Sequence, residues 1–134
     1  MEDLYRDHLL DHYENPRHHG RIEGADISHE ENNPLCGDKI RIDVKLGEDG
    51  ALIADIGFTG DGCIISQAAA SMLLEEVAGK TLADVQKLDT QDVLDMIGVT
   101  LTTNRVKCAA LGLKVLKAGV YRYMIEHADP PCAA

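Results

Sequence analysis

The sequence has few aromatic residues and few basic ones. It contains no Trp, one Phe and four Tyr in 134 residues, so it offers little material for a stacking platform that binds single-stranded nucleic acid. Lys and Arg together number 13 against 23 Asp and Glu, and the resulting net charge of −10 repels phosphate backbones and anionic lipids. These shortages disfavour the binding of nucleic acid or of a membrane surface.

The sequence also lacks a hydrophobic run close to the ~20 residues that a membrane span requires. Its beginning, MEDLYRDHLLDHYENP, carries acids and histidines where a signal peptide carries a basic segment followed by an apolar one. We therefore expect a cytoplasmic protein. With 45% hydrophobic residues, a chain of this length can form one domain with a hydrophobic core.

The pattern of apolar residues predicts that strands come early in the chain. Apolar residues at helical intervals indicate an amphipathic helix over residues 2–14, and Pro16 prevents its continuation. A short strand is expected near residues 25–29. Strict alternation of apolar and polar residues over 39–46, a glycine-containing turn and an apolar stretch over 51–59 predict an antiparallel hairpin with one solvated face.

Helices are expected to follow the hairpin. Small and apolar residues at helical spacing predict helices over residues 64–79, 81–87, 90–97 and 105–127. Thr81 and Thr90 can each cap the helix that they open. Strands followed by helices favour a two-layer α+β domain. We assign this single domain to residues 1–127 and predict that residues 128–134 form a mobile tail.

The four cysteines are the residues with the most distinctive chemistry. A chain of this length does not need disulfides to fold in a reducing compartment, and no two cysteines form a Cys-x-x-Cys pair. Cys36, Cys63 and Cys108 lie in turns or at helix starts instead of on an apolar stripe, unlike most structural cysteines. Helix N-termini and the nearby Arg105 and Lys107 favour the thiolate, which is the nucleophile and the metal ligand.

Asp38 follows Cys36 by two residues and adds an oxygen ligand, a combination with sulfur that zinc and iron both tolerate. Glycines beside Cys36 and Cys63 allow the backbone to approach a bound ion. The residues alone leave two interpretations open, a shared metal or cluster site and unrelated thiols.

Other residues give weaker indications. His18 and His19 are adjacent in a polar segment, which is more typical of solvent-facing side chains than of a ligand pair. His8 and His12 share a helix face, but no His-Glu-x-x-His motif is present. A Cys-His nucleophilic dyad stays open, although nothing marks one histidine as its base. Cys132 is interpreted as a dispensable thiol.

Five stretches of the sequence resemble the U-type iron–sulfur cluster assembly scaffolds, the family of IscU, SufU and the N-terminal domain of NifU. In family order they are residues 5–20 (YRDHLLDHYENPRHHG), 33–38 (NPLCGD), 60–72 (GDGCIISQAAASM), 79–82 (GKTL) and 105–108 (RVKC). The resemblance implies a small three-stranded antiparallel sheet packed against several helices, with the three cysteines at one exposed end.

The resemblance also implies a function. Cys36, Asp38, Cys63 and Cys108 would hold iron and a nascent [2Fe–2S] cluster, with Asp38 as the weak ligand that helps the cluster leave. Cys108 and Cys36 would accept sulfur from a cysteine desulfurase of the IscS or SufS type. The protein would then be a carrier, not an enzyme, and would pass its cluster to apo-proteins.

Two departures from the family keep alternatives open. Lys107 replaces the His that precedes the third cysteine in the Isc branch, and LTTNR at residues 101–105 replaces the Leu-Pro-Pro-Val-Lys segment that recruits a chaperone. Dependence on a chaperone is therefore doubtful. Arg105 and Lys107 match the Suf pattern, yet the insertion typical of SufU is missing. The first alternative is a SufU-like sulfurtransferase with zinc in the same site, and the second is a zinc-stabilised binding module without sulfur chemistry.

Overall fold

A computed structural model describes residues 2–33, 37–48 and 50–127. The sheet has three antiparallel strands in the order β1-β2-β3: β1 (Ile27–Asn33), β2 (Asp38–Leu46) and β3 (Ile53–Asp61). The predicted α+β class and three-stranded sheet are confirmed. The prediction for the first strand is wrong in extent, because pairing with β2 from Ile27 opposite Val44 to Asn33 opposite Asp38 carries β1 through polar residues that lack a strand pattern.

Within the described residues the helices are α1 (Glu2–Glu14), α2 (Ile64–Val77), α3 (Leu82–Gln86), α4 (Thr90–Ile97) and α5 (Thr103–His127). Thr81 caps α3 as predicted, but Asp89, not Thr90, caps α4, because its carboxylate accepts the Asp92 N–H in a capping box. None of these helices has the length and apolar character needed to cross a bilayer. The predicted tail at residues 128–134 lies outside the described residues.

The hydrophobic core lies between one face of the sheet and the helices α2 and α5. The inner face of β2 contributes Ile40, Ile42, Val44 and Leu46, and β3 contributes the single Phe of the chain, Phe58, all of them buried. The alternation read from the sequence thus places the apolar residues of β2 correctly. Helix α5 lies against β1 and β2, so that the N-terminal part of α5 comes close to the start of β2.

The outer face of the sheet is not fully solvated, contrary to the prediction. Asp43 is buried there, because its carboxylate accepts hydrogen bonds from Ser28, the backbone N–H of Ile22 and the side chains of Arg21 and Arg41. Burial alone would raise the pKa of Asp43, but the bonds from Ser28 and Ile22 and the charge of Arg41 outweigh it and lower that pKa. The buried carboxylate fixes the segment before β1 to the sheet.

A buried histidine joins α1 to α2. His12 is 1% exposed, and its Nδ1 lies 2.7 Å from Ser71 Oγ, which also accepts the backbone N–H of Arg17. Burial, followed by the charges of Arg17 and His8, lowers the pKa of His12, while Glu75 and Asp11 oppose that shift. His12 is therefore neutral at neutral pH and packs edge to face against His8, with ring centroids 4.6 Å apart.

This histidine predicts a pH dependence of stability. Because the pKa of His12 is lower in the folded state than its ordinary value of 6.5, the unfolded chain binds more protons at a pH near 6.5, and stability falls as the pH drops from about 7.5 through that value. We expect His12→Asn, whose amide can occupy the Nδ1 position, to flatten this part of the profile. Thermal melts of both proteins across this range test the prediction, and equal pH dependence would contradict it.

Candidate metal centre

Three elements bring a carboxylate and two thiols together at one end of the sheet. Asp38 is the first residue of β2, Cys63 is the N-cap of α2, and Cys108 lies in α5. One ligand atom of each lies within 4.8 Å of the other two. No other group of three or more His, Cys, Asp or Glu residues is placed in this way among the described parts of the chain. Asp38 and Cys108 are buried, whereas Cys63 is half-buried.

The two glycines around Asp61 make this arrangement possible. Lys39 pairs with Asp61, so the end of β3 lies beside the start of β2. A Cβ atom on Gly60 would lie 2.0 Å from the carbonyl oxygen of Lys39, and one on Gly62 would lie 2.4 Å from Oδ1 of Asp38. Only glycine permits both approaches, so the Gly-x-Gly-Cys sequence sets the distance between the carboxylate and the Cys63 thiol.

The two carboxylate oxygens of Asp38 have different hydrogen-bond partners. Oδ1 accepts the backbone N–H of Cys63 at 2.8 Å, and Oδ2 faces the Cys63 thiol at 3.7 Å. Sγ of Cys63 in turn accepts the backbone N–H of Ser66 at 3.4 Å, as the N-cap of α2. Oδ1 is therefore committed to the backbone, and Oδ2 is the oxygen available to a metal ion.

Cys108 differs from its prediction in two respects. Helix α5 begins at Thr103, with Thr102 Oγ1 accepting the Arg105 N–H, so Cys108 falls in the second turn and not the first. Its side chain is 1% exposed, and its thiol donates to the carbonyl of Asn104 at 3.5 Å. The expectation of an exposed thiolate at a helix start is therefore wrong for Cys108, and a reagent reaches it only if the start of α5 moves.

The two cations beside Cys108 face different surfaces. Arg105 lines a cavity of about 620 Å³ together with Cys63, Tyr13, Ile64 and Leu101, among other residues. Lys107 lines a separate groove on the β1 side of α5. The half-buried Cys63 is thus the thiol that borders an open cavity. The apolar wall of that cavity was not anticipated from the sequence, because Tyr13 and Ile64 lie 51 residues apart in the chain.

The remaining candidate residues either lie outside the described residues or are placed away from this centre. Cys36 and Cys132 lie outside the described residues. His18 and His19 are exposed, and the ring of His19 packs edge to face against Phe58. Ser66, which the sequence analysis did not single out, contacts the centre through its backbone. Its position three residues after a helix-capping cysteine is the signal that could have revealed it.

Gly62 provides a test of the packing around Asp38. We expect Gly62→Ala to weaken metal binding by about tenfold, because the added methyl group displaces the carboxylate from Cys63, and supporting residues of metal sites commonly have effects of this size. The measurement is a zinc titration in competition with a chromophoric chelator. Gly24→Ala is the control, because no atom lies within 4 Å of the added Cβ; an equal loss in both variants would contradict the prediction.

Comparison with known families identifies the domain. The profile of the NifU-like N terminal domain family matches residues 4–129. The chain belongs to this family. The match of the NifU-like N-terminal domain profile includes all three residues of the centre, the segment that contains Cys36, and every strand and helix of the described fold except the first two residues of α1.

Two relatives carry different functional names. The chain is 36% identical over 137 residues to the zinc-dependent sulfurtransferase SufU of Bacillus subtilis, covering 90% of this chain and 91% of that protein. It is also 36% identical over 139 residues to the iron–sulfur cluster assembly scaffold protein IscU of Streptococcus pyogenes, covering 91% and 86%. The NifU-like N-terminal domain is thus similar to proteins of both named functions.

A solved structure supports the same assignment. The crystal structure of a proposed iron–sulfur cluster assembly scaffold for the SUF system from Fervidobacterium islandicum aligns with a TM-score of 0.72 at 27% identity, covering 85% of this chain and 94% of that one. A nitrogen-fixing NifU-like protein from Brucella abortus aligns with a TM-score of 0.74 at 17% identity, a likeness of fold alone.

Proposed function

We propose that this protein is an iron–sulfur cluster assembly scaffold. It receives sulfur from a cysteine desulfurase, assembles a [2Fe–2S] cluster from iron and sulfide, and passes the cluster to apo-proteins. We assign this role to the domain of residues 1–127. The observation that carries the proposal is the meeting of Asp38, Cys63 and Cys108 within 4.8 Å in a member of a family that includes named scaffolds.

The donors present fit iron in sulfur-rich coordination. Two thiols and a carboxylate form a mixed sulfur and oxygen set, and four-coordinate sites hold thiolates about 2.3 Å from a metal ion. We propose Cys36 as the further ligand, because it precedes Asp38 by two residues in the chain. Cysteine thiolates are the ordinary ligands of iron–sulfur clusters, so a single carboxylate among them is the weakest partner for iron.

Sulfur delivery requires a thiolate of this chain to attack the terminal sulfur of a persulfide on the desulfurase. A new S–S bond forms on the acceptor, the old S–S bond breaks, and the desulfurase cysteine leaves as a thiolate. A dithiol then supplies the two electrons that release each sulfur as sulfide. We keep Cys108 and Cys36 as the proposed acceptors. Because Cys108 is 1% exposed, we propose that docking of the desulfurase opens the start of α5.

A zinc-dependent sulfurtransferase is the second candidate. Its support is the relative from Bacillus subtilis together with the compactness of the centre, since donor atoms within 4.8 Å of one another suit a single metal ion. In that case Cys36, Asp38, Cys63 and Cys108 would hold zinc, and one of the thiolates would have to be freed for sulfur to be accepted when the desulfurase docks. Arg105 and Lys107 are compatible with either candidate.

Anaerobic reconstitution distinguishes the two. The protein is incubated with ferrous iron, cysteine, a dithiol and a catalytic amount of cysteine desulfurase, the visible spectrum is recorded, and apo-ferredoxin is added. We expect sulfide-to-iron charge-transfer bands to grow on this protein and then to move to the ferredoxin.

Two other outcomes contradict the scaffold. If the protein keeps one zinc ion, forms no coloured species and accelerates cysteine turnover, it is a sulfurtransferase. If it keeps zinc and leaves desulfurase activity unchanged, it is a zinc-stabilised binding module, and neither sulfur function applies.

A further inference from the structure

The charges of this chain are unevenly distributed along its length. Residues 96–125 contain five cationic side chains and no acidic one, although the whole chain has a net charge of −10. This segment runs from the end of α4 through most of α5. A local concentration of positive charge on an acidic protein creates a surface that attracts anionic partners which the remainder of the molecule repels.

Three of these cations line one groove beside the metal centre. The groove has a volume of about 600 Å³, and Lys107, Lys114 and Lys117 border it along α5, while Leu111 and Leu113 contribute apolar surface. Among the described residues that line it, Asp89 alone is acidic, and the Asp89 carboxylate is engaged in capping α4. We call these residues the lysine groove. It combines an apolar floor with a positively charged rim.

The lysine groove is continuous with the metal centre. Lys107 directly precedes Cys108 in α5. Asn33, another lining residue, pairs with Asp38 across the β1-β2 ladder, and its carbonyl accepts the N–H of Gly37. A protein held in the groove therefore lies next to the atoms that would release a cluster.

The lysines are held beside the groove without losing their ability to pair with a new anion. Lys117 donates to the carbonyl of Leu88 at 2.6 Å, and because this acceptor is neutral the bond does not neutralise the charge of Lys117. Lys114 lies 3.4 Å from Glu31, but its side chain is 66% exposed, and such surface pairs are weak enough to be exchanged for a carboxylate of a partner.

We propose that the lysine groove docks an acidic surface segment of the apo-proteins that receive the cluster. The inference rests on the proposed scaffold function. Lysines are flexible point charges, which suit several recipients with different detailed surfaces, and the separate cavity lined by Arg105, Tyr13 and Ile64 remains open to the sulfur donor. Two separate surfaces allow the sulfur donor and the cluster recipient to bind beside the same metal centre.

The test measures binding before any cluster is present. A fluorescently labelled apo-ferredoxin of negative net charge is titrated with the metal-free protein and with the double variant Lys114→Gln, Lys117→Gln. We expect the Kd of the double variant for the ferredoxin at low salt to be about fivefold higher than that of the unmodified protein, as expected for the loss of two charge contacts at the protein surface. The difference should disappear near 1 M salt, where the screening length is about 3 Å.

The control is the double variant Lys45→Gln, Lys80→Gln, which changes the net charge by the same amount at exposed positions outside the groove. We expect it to bind the ferredoxin as the unmodified protein does. The single variant Lys114→Gln guards against an effect on folding, because Lys114 is the more exposed of the two groove lysines that are changed.

Three outcomes would overturn the groove proposal. Equal Kd values in the groove and control variants would show that net charge alone is recognised. Loss of self-association in the groove variant, measured by sedimentation, would make a second copy of the chain the occupant. Unchanged ferredoxin binding with lost desulfurase stimulation would assign the groove to the sulfur donor. If the unmodified protein builds no cluster, the scaffold function fails, while the titration still reports on the groove.

Discussion

We expect Cys63→Ser to lower the affinity for zinc or ferrous iron by at least about a hundredfold and to abolish cluster assembly, since even supporting residues of metal sites contribute 10- to 100-fold. A hydroxyl group is a far poorer ligand for these ions than a thiolate. The fold should persist, because Ser is a favoured N-cap and its oxygen can accept the Ser66 N–H that Sγ of Cys63 now accepts.

The measurement combines zinc competition, cluster yield in the anaerobic assay and a thermal melt. Cys132→Ser is the matched control, because it makes the same chemical change at a position beyond residue 129, where the family match ends. We expect the control to keep its metal affinity and its cluster yield. Retention of metal by Cys63→Ser would place the centre elsewhere, and a marked loss in Cys132→Ser would make the tail thiol a ligand or a relay.

The elements of the fold were largely predictable, because their signals are local. Alternation over residues 39–46 and the stop at Pro16 identify a strand and a helix without knowledge of their neighbours. The length of β1 was not predictable, since polar residues extend it through pairing with β2. The burial of Asp43 was not predictable either, because nothing in its own strand shows that the segment containing Arg21 covers this side chain.

The centre required a different kind of information. The family resemblance grouped Asp38, Cys63 and Cys108 with Cys36, but the separations of 25 and 45 residues between Asp38, Cys63 and Cys108 have no meaning until α5 lies against the sheet. The burial of Cys108 also follows from that packing, because a helix-start pattern does not show which side of the helix meets the core. Tertiary contacts therefore determine how accessible the Cys108 thiol is, which the sequence alone does not show.

We expect Asp38→Ala to slow the transfer of a cluster to apo-ferredoxin by about tenfold, a typical effect for residues that tune a metal site. The reason is that the oxygen ligand is the weakest partner for iron, so its removal leaves the cluster on stronger sulfur donors. The substitution also removes the acceptor of the Cys63 N–H, and a buried donor without a partner costs about 1–3 kcal/mol. A lower melting temperature should therefore accompany the slower transfer.

Asp38→Asn separates these two effects. The amide oxygen can keep the hydrogen bond from the Cys63 N–H at the position of Oδ1, while the anionic Oδ2 is lost. We expect slow transfer with a melting temperature close to that of the unmodified protein. Transfer rates follow from the ferredoxin spectrum after mixing with preloaded protein. Faster cluster loss in both variants would show that Asp38 retains the cluster instead of helping it leave.

If Asp38 is the oxygen ligand of the proposed scaffold, the hydrogen bond to Oδ1 explains how this carboxylate could hold a metal ion and also release it. Because the Cys63 N–H fixes Oδ1, the side chain of Asp38 keeps its place whether or not Oδ2 is bonded to iron. Release of the ion would then require no movement of β2. The backbone of the Gly-x-Gly-Cys segment would thus keep the proposed oxygen ligand in place when its bond to iron breaks, and the Asn variant should keep this geometry while losing the carboxylate ligand itself.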